Sequence, residues 1–505
     1  MGSRPSGLPV PQRAAVWVDG GRTLATTDER FLSFAVDTAQ VVGGEFWAPR
    51  GKGEGLLKTA AVGSYDFSRP QLRQLAAGLA PAYLRVGGTD ADRTVYRFDD
   101  GPGPDVRARG ARWVLTRQRW DALAGFARDL DLKIAFTLNA GQSARTPEGL
   151  WDPESARGLV EYAQKRGDDV ALWELGNEVN AFPLMHRMWL TPARYARDLV
   201  EVRALLDEVG ARGRLGGPSS AFWPLLGEGR GFGEAVLGQL QDAGRGDLVD
   251  VVTWHYYPQQ SHRCPVATRR AQAGRLPAPA QLDDVERWAG EVEGAAGAYA
   301  PRAEVWLGET GSAQCGGEPG LSNAYADSLW WVDQLGRLAR RGQRVVIRQT
   351  LSGSDYGLID DATLAPNPSY WASWLWRQLV GTRVLSAGTT PTSPGLMTYA
   401  HCARAGAVVD AAGAVTLIAV NFDPVVTARA ALPRGWGAGA RAWQLTAEGL
   451  SARQVALNGR TLAVNEGGLP ALAKLATAVE SDEVVLAPQS IAFVVMPAAN
   501  AAACR

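Results

Sequence analysis

The sequence predicts an α/β protein: a closed (β/α)8 TIM barrel joined to an all-β sandwich domain. Three observations predict it. Between residues 31 and 350, eight short apolar runs alternate with amphipathic stretches of helical length. That alternation marks a parallel sheet, and eight such units close a barrel. No Gly-x-Gly-x-x-Gly follows an early run, which argues against an open doubly wound sheet. After about residue 367 helical periodicity nearly vanishes, and short alternating runs separated by Gly, Pro and Asn take over. Such spacing belongs to a sandwich.

The candidate barrel strands, in order, are 31–37, 83–87, 133–139, 170–176, 214–218, 249–256, 304–309 and 344–350. Helical patterns cover 71–80, 118–130, 154–165, 193–208, 232–243, 283–298 and 323–341. A Trp-rich helix over 370–380 (Trp371, Trp374, Trp376) follows. Strand-like runs then come at 396–402, 406–411, 414–422, 441–446, 453–457, 461–464 and 482–497. Near the start, Ala14 to Val18 and a Gly-Gly turn make one strand that a complete barrel has no place for. It is expected to pair into the C-terminal sheet. The expected division is therefore 27–367 for the barrel, with 13–26 and 368–505 forming the β domain.

The bulk numbers suit this architecture. A chain of 505 residues accommodates a barrel and a smaller domain, and 46% hydrophobic with 21% charged residues is a folded composition. Lys plus Arg equals Asp plus Glu at 52 each, so no general charge draws the chain to nucleic acid or anionic membrane. No run of 18 apolar residues is present to span a membrane. There is no phosphate loop and no metal-ligand spacing of His or Cys, so we expect no cofactor and no metal. Four cysteines, at 264, 315, 402 and 504, allow two disulfides in three connectivities. Pairing would imply an oxidising compartment. Met1-Gly2-Ser3-Arg4 opens no secretory pattern. We nevertheless expect a secreted or periplasmic monomer whose signal segment is not part of this sequence.

Barrel enzymes carry their chemistry at the C-terminal ends of the strands. Those ends read Asp37, Gly87-Gly88-Thr89, Asn139, Asn177-Glu178, Ser219, His255 to Tyr257, Glu309 and Gln349. Glu178 and Glu309 each close an otherwise apolar run, on the fourth and seventh strands, which face one another across a barrel mouth. Glycosidic cleavage needs one protonated carboxyl to donate to the leaving oxygen and one ionised carboxylate or activated water on the other side. Two nearby carboxyls separate their own pKa values, which helps divide those roles. Asn177 is placed to bond a sugar 2-hydroxyl. His255 and Tyr257 share a strand face and are candidates to orient the second glutamate. Glu174 lies deeper on the face of Glu178.

At these residues the chain resembles heparanase and its relatives, retaining glycoside hydrolases of family 79. The likeness runs through Tyr83-Leu-Arg-Val-Gly-Gly-Thr89, Leu175-Gly-Asn-Glu-Val-Asn180, Thr253-Trp-His-Tyr-Tyr257 and Leu307-Gly-Glu-Thr-Gly-Ser-Ala313. It continues with Gly316-Gly317, Arg348-Gln349, Gly353 to Asp361, Tyr370-Trp371 and Leu457-Asn-Gly459. The resemblance implies a retaining endo-β-D-glucuronidase acting on heparan sulfate-type chains, with Glu178 as acid/base and Glu309 as nucleophile. It implies that Gly316, Gly317 and Tyr356 bind the glucuronate carboxylate, and that Asp37, Thr89 and Asn177 contact that sugar's hydroxyls. It also implies a Cys402–Cys504 disulfide. Cys264 and Cys315 fall outside the likeness, but both lie in mouth loops where a second bridge is possible.

Two departures shape further expectations. The animal enzyme has a long excised linker after its second strand, whereas residues 93–117 here make a modest loop, so we expect an active unprocessed chain. Arg269 and Arg270, with Arg275, are the expected basic lining of the cleft. An exo-acting β-glucuronidase is the alternative reading, and a non-catalytic carbohydrate-binding relative is the less favoured one.

Overall fold

The computed structural model describes residues 12–505 apart from 49–51, 54, 56–57, 99–109, 230, 394, 407–410 and 466–467. Part of the 93–117 loop, with Arg107 and Arg109, and most of the 406–411 run therefore lie outside the described residues.

Eight strands pair parallel in chain order: Leu32–Asp37, Ala82–Gly87, Leu132–Leu138, Val170–Leu175, Arg214–Phe222, Val251–Tyr256, Glu304–Thr310 and Val345–Arg348. The eighth pairs with the first and closes a TIM barrel. Each strand falls on an expected apolar run, because a strand with helices outside and packed side chains inside is buried on both faces. The fifth strand extends past the expected end at 218 to Phe222. Ser219 and Ser220 break its apolar pattern, yet both are buried.

The helices start and stop on local signals. Thr191 caps Pro192–Val209, with Pro at the first turn and Gly210 left-handed at its end. The helix Tyr325–Arg341 is buried nearly all round: Gln334 and Asp327 bond to Thr310 and Arg348 of the barrel, and the strands Leu396–Ala403 and Val415–Asn421 pack against it as well. Its polar groups are paired inside: Arg337 with Asp333 at 2.6 Å, and Asp327 with Arg348 at 2.7 Å. Gly336 has no substitute here, because a Cβ would fall 2.4 Å from the Tyr399 ring.

Beyond the helix Pro368–Leu379 the described residues form strands and a few single 3-10 turns. A nine-stranded sheet and a four-stranded sheet enclose a second core that includes Val16, Leu417, Val484 and Val494. The early strand Gln12–Val18 joins the smaller sheet between Ala387–Thr390 and Ala428–Ala431. Ala25–Thr26 pairs with Val380–Leu385 in the larger one. Strands from both ends of the chain thus enter these two sheets. Two disulfides are present, Cys402–Cys504 within this region and Cys264–Cys315 at the barrel mouth.

Candidate active site

The C-terminal ends of the barrel strands open into a cleft of about 900 Å³. Its floor is organised by Arg85, a fully buried guanidinium in the middle of the second strand. Gly87, two residues on, leaves room for it: a Cβ there would meet the guanidinium at 2.7 Å. Arg85 donates from Nε to Glu174 at 2.8 Å, from Nη1 to Glu309 at 2.8 Å, and from Nη2 to Asn177 Oδ1 at 3.0 Å. Burial alone would lower its pKa, but Glu174 and Glu309 hold it above the ordinary range. Glu174 accepts two further hydroxyl donors, Ser219 and Thr137. Burial pushes Glu174 up, yet Arg85, His255 and Ser219 together bring it below its usual value.

Glu309 ends the seventh strand and accepts from Arg85 and from the Tyr257 hydroxyl, the latter at 2.7 Å. Burial raises the Tyr257 phenol well above its usual range, so it serves as a neutral donor. Glu178 sits just past the fourth strand in a left-handed conformation, φ 56°, with its N–H bonded to Ser219 O. A non-glycine residue held there is strained backbone, which clusters at functional sites. Burial lifts its carboxyl from 4.5 to about 7, against a smaller opposing pull from Arg85.

His255 bridges the two glutamates. Desolvation lowers its pKa to about 4, so the ring is neutral near pH 7. Nε2 lies 3.3 Å from Arg85 Nη2, a pure donor, so Nε2 is the accepting nitrogen. Nδ1 then carries the hydrogen and donates to Glu178 Oε1 at 3.2 Å. This tautomer is assigned from the network. One carboxylate oxygen of Glu178, one of Glu309 and a His255 nitrogen all lie within 4.8 Å of one another. A cation could in principle use that spacing, but it would face the guanidinium of Arg85. The donor set suits two-carboxylate chemistry better than metal binding.

The remaining expected residues divide into those the structure brings to the cleft and those it does not. Asp37, Thr89, Asn177, Tyr257 and Tyr356 line it. Asp37 accepts from Ala39 N–H and from Gln349 Nε2, and burial raises it well above its usual value. Asn177 is fixed through Oδ1, which accepts from Arg85 and Gly88 N–H, and through its own N–H, which donates to Asp92. Its Nδ2 has no protein acceptor among the described residues.

Gly316 and Gly317 are buried and do not line the cleft, a correction to the expectation. Both have φ above +80° or equal to it, and Trp47, Ser354 and Tyr356 cover them closely. The Gly317 N–H is already bonded to Ala313 O. Their part is to shape the turn that carries Gln314 and Cys315 to the wall. Arg269 and Arg270 are likewise corrected. Arg269 is drawn into an ion pair with Asp284, and Arg270 donates to the Ser261 and Cys264 carbonyls. Arg275 is exposed and also off the cleft. Among the described residues, the arginines on the cleft wall are Arg93, Arg112 and Arg187.

Sequence reasoning missed Arg85, Asp92 and Arg263. The one signal for Arg85 was a charge in the middle of an apolar strand. Asp92 holds the Asn177 and Ala140 N–H groups, and burial raises it to about 7. Arg263 is buried and ties three mouth loops together through Ala48 O, Gly317 O and Asp355.

Residues 13–336 match the sequence profile described as glycosyl hydrolase family 79, N-terminal domain. The chain belongs to this family. Family 79 relatives include heparanase from Gallus gallus, 31% identical over 86% of this chain and 89% of that protein. Heparanase-like protein 1 from Arabidopsis thaliana is 27% identical over 98% and 95%. Inactive heparanase-2 from Homo sapiens is 26% identical over 95% and 88%. Among solved structures, a GH51 α-L-arabinofuranosidase from Thermotoga petrophila RKU-1 superposes with TM-score 0.63 at 14% identity, covering 96% of this chain and 100% of that one. That likeness speaks to the fold alone. The family 79 chain is a glycoside hydrolase.

Proposed function

We propose that the chain is a retaining endo-β-D-glucuronidase that cleaves internal glucuronide bonds of heparan sulfate-type polysaccharide, with Glu178 as acid/base and Glu309 as nucleophile. One observation carries the reading: two glutamates with oxygens within 4.8 Å occupy opposite electrostatic settings in one cleft. Retaining pairs stand about 5–5.5 Å apart and inverting pairs about 6.5–9.5 Å, so the short spacing supports retention. Glu178, lifted to about 7, holds a proton for the leaving oxygen. Glu309, with Arg85 and Tyr257 donating to it, is set up as the attacking carboxylate. After the glycosyl-enzyme forms, Glu178 takes a proton from water and the same bond geometry runs in reverse.

Asp37, Thr89, the Asn177 amide and Tyr356 line the side where the glucuronate would bind. Arg93, Arg112 and Arg187 offer partners for carboxylate or sulfate further along the chain. The heparanase relatives support the substrate class. Both glutamates are in place, which speaks against the non-catalytic reading that the inactive relative brings to mind. Two disulfides suit a secreted protein. The exo reading has one observation in its favour: Trp47 and Thr59, on the hairpin strands Glu45–Trp47 and Thr59–Ala61, stand at one end of the cleft.

Product sizing on heparan sulfate tests the assignment, with an aryl β-glucuronide run alongside. A ladder of oligosaccharides is expected, and glucuronate alone as product would replace endo with exo action. The first anomer seen by NMR should be β; an α product would overturn retention.

A further inference from the structure

A second cavity, of about 210 Å³, lies between the fifth and sixth barrel strands and the helices Phe232–Asp242 and Pro279–Tyr299. Side chains alternate along a strand. On the fifth, Pro218, Ser220 and Phe222 line this cavity, while Ser219 between them bonds Glu174 inside the barrel. Leu226 is the one residue that lines both this cavity and the catalytic cleft among the described residues.

The walls are apolar, with Phe222, Leu237, Val252, Trp254 and Val292 buried around the space. At one end stands Glu228, also buried. Its Oε1 accepts from the Gly233 N–H at 2.7 Å, which satisfies a free donor at the start of the helix Phe232–Asp242. Its other oxygen has no hydrogen-bond donor among the described residues, and none of their Lys, Arg or His side chains pairs with it. Beside it is Ser220, 2% exposed, whose Oγ makes no hydrogen bond. A Cβ on Gly233 would stand 3.1 Å from Glu228 Oε1 and 3.3 Å from Ser220 Oγ, so the bare glycine leaves both groups open to the same space. Burial raises the Glu228 carboxyl above its usual value. Glu234 and Glu291 add to the rise, and the nearby Ser220 hydroxyl and Gly233 N–H temper it.

A buried carboxyl and an idle hydroxyl at the end of an apolar cavity call for a donor with a hydrocarbon body. A hard divalent cation takes about six oxygen ligands, far more than these two groups supply. An ammonium group brings three donors on a single nitrogen, and a chain attached to it covers the apolar wall. Glu234 and Glu291, exposed on the two helices, favour the approach of a cation. Arg287, 4.0 Å from Glu291, offsets part of that pull.

We propose that this cavity binds a primary ammonium ion carrying a short apolar body, with its nitrogen between Glu228 and Ser220. The site shares no catalytic residue with the cleft, so it stands apart from the reaction proposed above.

Ligand-observed NMR titration of the full chain with propyl-, butyl- and pentylammonium tests this, with pentan-1-ol as the neutral match. Affinity should tighten about two- to fourfold per added methylene, and pentanol should bind about tenfold more weakly than pentylammonium. Glu228→Gln keeps an oxygen for the Gly233 N–H, so the helix start is preserved, and pentylammonium should weaken about tenfold. Ala295→Phe, at a half-buried position on the cavity wall, leaves the carboxyl in place and should abolish binding by filling the space. Thermal unfolding checks that both variants fold. Absence of saturable binding to the native chain, or equal affinity for pentanol, would overturn the proposal. Binding that either variant leaves unchanged overturns it too, because the charge and the space are both required.

Discussion

Replacing Glu178 with Gln tests the acid through stability as well as rate. Burial lifts the carboxyl from 4.5 to about 7, and its side chain is only 16% exposed. The unfolded chain releases this proton near 4.5 and the folded chain near 7. Between those values the folded form binds more protons, so stability falls as pH rises. The gap corresponds to about 3 kcal/mol, present in full at pH 4 and lost by pH 8. For a chain of 505 residues, an unfolding entropy of about 2.1 cal/mol/K per residue turns that into about 3 °C. Thermal unfolding of native protein and Glu178→Gln at pH 4 and pH 8 measures it. The variant, which cannot ionise there, should gain about 3 °C relative to native between the two values. Parallel shifts would refute the buried-acid reasoning. In the rate, an alkyl glucuronide should lose about 10²–10⁴-fold in kcat, while a dinitrophenyl glucuronide, whose leaving group needs no proton, should lose far less. Native kcat/KM should decline as pH rises through about 7.

Two other changes have definite outcomes. Arg85→Met leaves Glu174 and Glu309 buried without their shared cation, so it should cost about 3–5 kcal/mol of stability and abolish glucuronide hydrolysis, both read on the purified variant. Cys402→Ser opens a loop of 102 residues; the loop-entropy relation puts its loss at about 4.7 kcal/mol, seen as a Tm drop of a few degrees in non-reducing buffer with kcat retained.

The parts of the fold that local pattern controls were legible. Barrel strands read as apolar runs because both faces are buried, and helices read from their periodicity and caps. The fifth strand was read short because Ser219 and Ser220 are polar; Ser219 is buried there because it donates to Glu174. The two catalytic candidates were visible as acids ending apolar runs. What joins them was not. Arg85 reaches Glu174, Asn177 and Glu309 at sequence separations of 89, 92 and 224, and no local pattern encodes such partners. The same holds for Arg269, whose side chain faces the cleft or a helix depending only on where Asp284 falls. Gly316-Gly317 read as an open anion-binding turn. Their burial depends on Trp47 and Tyr356, which come from elsewhere in the chain.

The division of labour proposed for the two glutamates follows from one charge count. Around Arg85 stand three carboxyls, Glu174, Glu178 and Glu309, while Asp37 and Asp92 are held apart by other donors. Arg85 has three nitrogens facing the site: Nε goes to Glu174 and Nη1 to Glu309, while Nη2 is shared by Asn177 and His255. Nothing is left for Glu178. Its one side-chain donor among the described residues is a neutral imidazole at 3.2 Å, which stabilises an anion far less than a guanidinium does. In a buried site the carboxyl without a cation keeps its proton, and the one that accepts from a guanidinium and a phenol is placed to attack. Swapping the roles would require Arg85 Nη1 to leave Glu309 for Glu178, which the Nε pair to Glu174 and the Nη2 bond to Asn177 oppose by fixing the plane of the guanidinium. On the proposed roles, the second strand, which contributes neither glutamate, decides which of them is the acid.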